Sequence, residues 1–192
     1  MSLVLASASP RRKALLAMLR PDFSCVACNI DESLRAGELP EDYVCRMARE
    51  KAQACPADGA LVVSADTSVI LDQRVLGKPI DRDHARALLQ SLSGRTHQVL
   101  TAVAVRRGPT LRSELVATDV DFVTLSEELI DRYLSTDEPW DKAGGYGIQG
   151  FAGSFVRAIR GSYSAVVGLP LVETRELLAA FGVLTDWPNT HA

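Results

Sequence analysis

The stretch Leu61-Val62-Val63-Ser64-Ala65-Asp66-Thr67 constrains the fold more than any other. Three apolar residues, two of them β-branched, lead into a small residue and then an acid. The pattern predicts a buried strand that delivers Asp66 and Thr67 at its C-terminal edge. In open α/β sheets this edge is where ligands and catalytic groups collect. A carboxylate there can bind a cation or take a proton from water, and the neighbouring hydroxyl can hydrogen-bond a ligand. An isolated Asp after a strand also caps turns, so its meaning depends on what the rest of the chain brings.

Leu3-Val4-Leu5-Ala6 reads as a first strand, followed by Ser7-Ala8-Ser9-Pro10 and a helical pattern through Leu19. Ser9 suits the N-cap and Pro10 the first helical position. Arg11, Arg12 and Lys13 in the first turn oppose the helix dipole. An anion seated on that helix end removes the conflict, because N–H groups, serine hydroxyls and guanidinium groups would converge on it. A solvated basic face is the other reading. A strand over 23–28 and an acidic loop carrying Asp31 and Glu32 come next. The helix opened by Pro40 places Lys51 near the face of Met47 and Ala48, with its head in a cleft or snorkelling to water.

Beyond the central strand, Gly77 and Pro79 fix the direction of Lys78 between them. A helix over Arg82 to Leu92, two long strands (96–106 and 110–125) and a helix capped by Ser126 follow. A strand-like 154–156 precedes a last helix from Pro170 to Gly182, and 186–192 is expected to fray. Between them, residues 141–150 hold four glycines with Lys142, Tyr146 and Gln149, a loop that brings backbone close to something. Its spacing is neither a P-loop nor a dinucleotide fingerprint.

Several chemistries are set aside. A net charge of -3 gives no global attraction to nucleic acid or membrane, so neither is an expected partner. No apolar run reaches the ~18 residues of a span. Met1 to Leu5 lacks a basic region, so no signal peptide is expected and the cytoplasm is the expected location. Cys25 and Cys28 form a C-x-x-C in a predicted strand, where positions three apart face opposite ways, so a structural metal is not expected. The three histidines, His84, His97 and His191, do not suggest a triad. What remains is carboxylates (Asp66, Glu32), lysines (Lys51, Lys78), arginines at a helix start and a glycine loop. That set suits polyphosphate chemistry.

Read together, the motifs resemble the Maf-like nucleoside triphosphate pyrophosphatase family. They are Leu5 to Arg12, Asp31-Glu32, Ala48 to Ala52, Ala65-Asp66-Thr67, Gly77-Lys78-Pro79, Ser93 to His97, Lys142 to Gly150, Gly161-Ser162-Tyr163 and Gly168-Leu169-Pro170. The resemblance spans nearly the whole chain. It implies one α/β domain over 1–185, two-lobed around an elongated mixed β-sheet with flanking helices, similar to inosine-triphosphate-pyrophosphatase-type folds. Homodimers are usual there. The implied reaction converts a nucleoside triphosphate and water to the monophosphate and pyrophosphate with Mg²⁺ or Mn²⁺. Asp66 would activate water, Glu32 and Asp66 would hold the metal, and Ser7, Ser9, Arg11, Arg12, Lys51 and Lys78 would hold the triphosphate. Arg12, Thr67 and Gln149 resemble the dTTP/UTP branch; the 7-methyl-GTP branch carries other residues at these places. A 7-methyl-GTP pyrophosphatase is one alternative, and the family's association with septum formation makes a non-catalytic, nucleotide-binding regulator the other.

Overall fold

The computed structural model describes residues 2–57 and 59–183; the tail expected to fray, 186–192, lies outside them. Backbone contacts divide the chain into two compact units. The first takes residues up to Asp66, Thr101–Val116 and those from Gly168 onward; the second takes Thr67–Leu100 and Ala117–Val167.

In the first unit, strand β1 (Leu3–Leu5) lies parallel to both β2 (Ser24–Cys25) and β3 (Leu61–Leu71). The register pairs Leu3 with Leu61 and Leu5 with Val63. β1 and the Leu61–Asp66 part of β3 are buried throughout, as continuous apolar strands of parallel sheets are. Helix α1 (Pro10–Leu19) starts as its sequence dictates: Ser9 Oγ accepts from Arg12 N at 3.4 Å with Pro10 in the first turn. It buries Leu15, Leu16 and Leu19 and packs against the last helix, α6 (Leu171–Ala180). Helix α2 (Pro40–Ala54) buries Val44, Met47, Ala48 and Ala52, an apolar stripe at helical spacing.

The second unit continues β3 through a tight turn into β4 (Arg74–Leu76), antiparallel to it. Asp72 and Gln73 in that turn both have positive φ, 51° and 62°, which suits the right-handed twist of a two-residue hairpin. Helix α3 (Arg82–Leu92) is capped by Asp81 and α4 (Glu127–Tyr133) by Ser126. Strand β5 (Thr96–Arg107), strand β6 (Thr110–Phe122), strand β7 (Val156–Arg160) and helix α5 (Tyr163–Val167) complete the elements. Val69, Leu89, Leu92, Val120, Phe122, Ile130, Tyr133 and Phe155 form this unit's core. Its aromatic rings meet edge to face.

The strands form one mixed seven-stranded sheet in the order β2-β1-β3-β5-β6-β7, with β4 on β3. The expected α/β class with a mixed sheet and flanking helices is therefore what forms. Several boundaries differ; the strand expected over 110–125, for example, ends at Phe122. The strand expected over 23–28 is only Ser24–Cys25, because its neighbour β1 offers just three residues to pair with. The strand expected at 154–156 is a short 3₁₀ turn, Phe151–Phe155, and β7 begins at Val156. Asp66 and Thr67 do not end a strand: β3 runs on to Leu71. It is β1 that stops, its chain turning at Ser7, whose N–H bonds Leu5 O at 2.9 Å. Asp66 thus lies mid-strand, just past the end of the parallel pairing. Among the described residues no helix is long and apolar enough to cross a membrane.

Candidate active site

Asp66 is 9% exposed in the middle of β3. The last turn of α2 aims Lys51 at it, and Lys51 Nζ donates to Asp66 Oδ1 at 2.7 Å. The same ammonium lies 2.7 Å from Glu32 Oε1. One cation thus draws together the acid of the central strand and the acid of the 29–33 loop. α2 is held to β3 at this level by Ser64 Oγ, which donates to Ala48 O at 2.6 Å. The cleft alternative for Lys51 holds: its side chain is 12% exposed.

The acid loop is braced by residues that the sequence reading did not single out. Tyr43 OH donates to Glu32 O at 2.9 Å. Burial, then the charges of Asp66 and Glu32, push the Tyr43 phenol up to about 12, so it stays a neutral donor. Arg46 donates from Nε and Nη2 to Glu38 at 2.5 and 2.7 Å, from Nη2 to Ser33 O at 3.0 Å, and from Nη1 to Glu50 at 3.4 Å. Its hydrogen bonds hold the Glu38 carboxyl down to about 2. Their only sequence signal was the 43, 46, 50 spacing, which places them on one helix face.

At the start of α1, Ser7 Oγ accepts from Ser9 N at 3.2 Å. Arg12 Nε donates to Gly168 O at 2.9 Å, fixing the plane of a half-buried guanidinium. Loss of water lowers the Arg12 pKa most; Asp66 opposes that, Arg11 adds to it and Glu32 opposes it. Arg12 thus feels the same two carboxylates that meet at Lys51. The first unit therefore brings together Glu32, Lys51 and Asp66, with Arg12 in their field.

Thr67, Lys78 and Gln149 belong to the second unit. Thr67 is the half-buried residue after Asp66 on β3; Lys78 and Gln149 are exposed. The two stretches that carry them meet: Gly144 N bonds Gly77 O at 3.0 Å, and a Cβ on Gly145 would stand 3.2 Å from Pro79 Cγ. Gln149 sits in a tight turn closed by Gly150 N on Gly147 O at 3.1 Å. Glu138, another residue the sequence reading passed over, holds this loop by accepting from Phe151 N at 2.7 Å and Ala152 N at 3.1 Å. A side chain on Gly150 would collide with the Glu138 carboxylate, so the glycine serves a close approach rather than an unusual φ.

His97 is buried, its Nε2 2.7 Å from Tyr146 OH, and it packs edge to face on Phe122 and Tyr146. Burial lowers its pKa to about 4, which makes it a neutral core group. Cys55 is buried and Cys25 exposed; Cys28 and Cys45 are intermediate. Among the described residues no three His, Cys, Asp or Glu side chains are grouped to hold a metal. Glu32 and Asp66 offer oxygen donors only. This suits a hard divalent cation that takes one or two carboxylates and fills its shell with water and phosphate.

The family model described as Maf-like protein matches residues 2–181. The chain is 52% identical to the dTTP/UTP pyrophosphatase of Escherichia coli (strain K12) over 99% of this chain and 98% of that one. It is also 52% identical to the dTTP/UTP pyrophosphatase of Shewanella oneidensis, over 96% of this chain and 100% of that one. The solved Ham1 protein of Staphylococcus aureus covers 94% of this chain and 97% of its own at 13% identity and a TM-score of 0.49, too slight a likeness to carry weight. A family model running from Ser2 to Phe181, with relatives at half identity from end to end, leaves one assignment: the chain belongs to the Maf-like protein family.

Proposed function

We propose that this protein is a nucleoside triphosphate pyrophosphatase that hydrolyses dTTP and UTP to the monophosphate and pyrophosphate, a nucleotide-pool house-cleaning enzyme. The observation that carries the chemistry is Lys51 Nζ at 2.7 Å from both Glu32 and Asp66. The relatives' names supply the substrates.

In this reading Asp66 accepts the proton of the water that attacks the α-phosphorus. Lys51 holds the Asp66 carboxylate in place and offsets negative charge as the bond to pyrophosphate breaks. Ser7, Ser9, Arg11 and Arg12 receive the phosphates where α1 begins, and the helix N-terminus adds its own attraction for anions. Lys78 is assigned to the same triphosphate. Glu32 and Asp66 are the residues that would hold a divalent cation, Mg²⁺ or Mn²⁺, which would neutralise phosphate charge. Thr67, Gln149 and Arg12 are assigned to the choice of nucleotide. Uracil and thymine present a donor flanked by acceptors, and the amide of Gln149 can meet a donor and an acceptor together. Both units serve one domain over 1–185, active as a homodimer in the cytoplasm, with no nucleic-acid or membrane partner.

The test is pyrophosphate release, with Mg²⁺ or Mn²⁺, from dTTP, UTP, CTP, GTP, 7-methyl-GTP and ITP. The expected result is preference for dTTP and UTP, abolished in Asp66→Asn, with Gln149→Glu losing those two substrates selectively. Preference for 7-methyl-GTP overturns the specificity assignment. Turnover that survives Asp66→Asn overturns the mechanism.

A further inference from the structure

Strand β6 has a neighbour on each side for only part of its length. β7 pairs with Asp119–Phe122 and goes no further. Among the described strands nothing pairs with that side of Thr110–Val116, and every residue there is exposed or half-exposed. Leu115 is 36% exposed. A sheet edge of this kind carries backbone N–H and C=O groups ready to pair with another strand.

The edge is self-complementary. Leu111-Arg112-Ser113-Glu114-Leu115 reads the same outward from Ser113 in both directions, except that the inner positions carry opposite charges. Antiparallel pairing about a two-fold axis at Ser113 sets Arg112 opposite Glu114 of a second copy, twice, on one face. On the other face it sets Leu111 opposite Leu115, twice. Opposite charges directly across such a pair stabilise it, and like charges destabilise it. An edge protected against self-association would carry one sign of charge and repel its own copy; this one does the reverse.

The surroundings agree. A groove of about 600 Å³ runs beside the strand, and its charged lining is Arg49, Arg112, Glu114 and Glu176. Two positive and two negative groups suit a second copy and offer no net attraction to a polyanion. Arg49 Nε donates to Ser113 Oγ at 2.8 Å, and the Arg112 guanidinium stands 6.0 Å from the Phe181 ring, so neither side chain floats free.

We propose that Thr110–Val116 is the homodimer surface: two copies pair their β6 edges antiparallel, centred on Ser113. The surface is independent of the nucleotide chemistry and uses none of its residues. Sedimentation velocity at micromolar protein tests it, with circular dichroism confirming that each variant folds. The wild type is expected to be a dimer. Arg112→Glu and Glu114→Arg each place like charges opposite one another twice and are expected to weaken dimerisation roughly tenfold or more. The double variant, Arg112→Glu with Glu114→Arg, restores both cross pairs and the dimer. Mixing the two single variants also restores it, as a heterodimer. A monomeric wild type, a dimer indifferent to either reversal, or a double variant that stays monomeric would each overturn the proposal.

Discussion

Replacing Lys51 by methionine keeps the aliphatic stem and removes the charge that holds Glu32 and Asp66 together. Each carboxylate lies 2.7 Å from the ammonium, so the variant leaves two anions converging where no charge remains. Removing one partner of a buried pair costs ~3–5 kcal/mol. Here the figure needs discounting. The Glu32 side chain is 53% exposed and can turn to water, whereas the Asp66 side chain is 12% exposed and cannot. Counting Asp66 alone, and allowing for its partial access to water, the expected loss is about 2 kcal/mol at neutral pH.

Urea unfolding of wild type and Lys51→Met at neutral pH reads this directly. A double-mutant cycle with Asp66→Asn isolates the pair, and the double variant is expected to be about 1–2 kcal/mol less destabilised than the sum of the singles. In turnover, kcat is expected to fall at least ~100-fold, the scale of losing one preorganised charge at a developing oxyanion. Lys51→Arg, which keeps the charge but not its compact shape, is expected to retain stability and recover little rate. If Lys51→Met matches wild type in stability and turns over at a comparable rate, the ammonium supports neither the carboxylate nor the reaction, and the reasoning fails.

Two further outcomes follow from groups whose pKa departs from its usual value. His97 is lowered from 6.5 to about 4, so between those pH values the unfolded chain binds a proton that the folded chain refuses. Stability is complete above 6.5 and falls as pH drops to about 4, by ~3 kcal/mol on this group's account. His97→Gln should flatten that part of the pH profile; an unchanged slope would rule the account out. For Glu38, lowered from 4.5 to about 2, the pair with Arg46 contributes fully above 4.5 and is lost as pH falls towards 2. Arg46→Gln should therefore be less stable than wild type at pH 6 but not at pH 2, and the loosened Glu32 loop should cut kcat/KM roughly tenfold. A deficit that persists undiminished at pH 2 would mean that Arg46 acts through packing instead.

The helices and their caps were legible because local chemistry fixes them. Ser9-Pro10 and Ser126 act at their own helix starts whatever the rest of the chain does. Asp66, Glu32 and Lys51 were legible as residue types but not as a cluster, since their meeting depends on where α2 lies against β3. The length of β3 was not legible at all. A strand ends where its neighbours end, and β3 outlasts β1 because β4 takes over with Val69 opposite Leu76. Glu138 left only an indirect trace, the glycine at 150 that makes room for it.

Helix α2 shows why the bracing residues were missed and how they could have been found. Its apolar stripe, Val44, Met47, Ala48 and Ala52, fixes which way the helix faces the core. Once that face is fixed, the directions of the remaining residues follow from 100° per residue. Tyr43, Arg46 and Glu50 then share a second stripe, three and four residues apart. A surface helix in plain water has no need of an aromatic hydroxyl, a guanidinium and a carboxylate stacked along one line. Here that line meets the chain at Glu32, Ser33, Arg35 and Glu38. The stripe beside it ends in Lys51, which reaches Glu32 from the other side. One helix thus positions the loop through its backbone with Tyr43 and Arg46, and the loop's acid through Lys51. A polar stripe adjoining an apolar one, near a loop of opposite charge, is the pattern to look for.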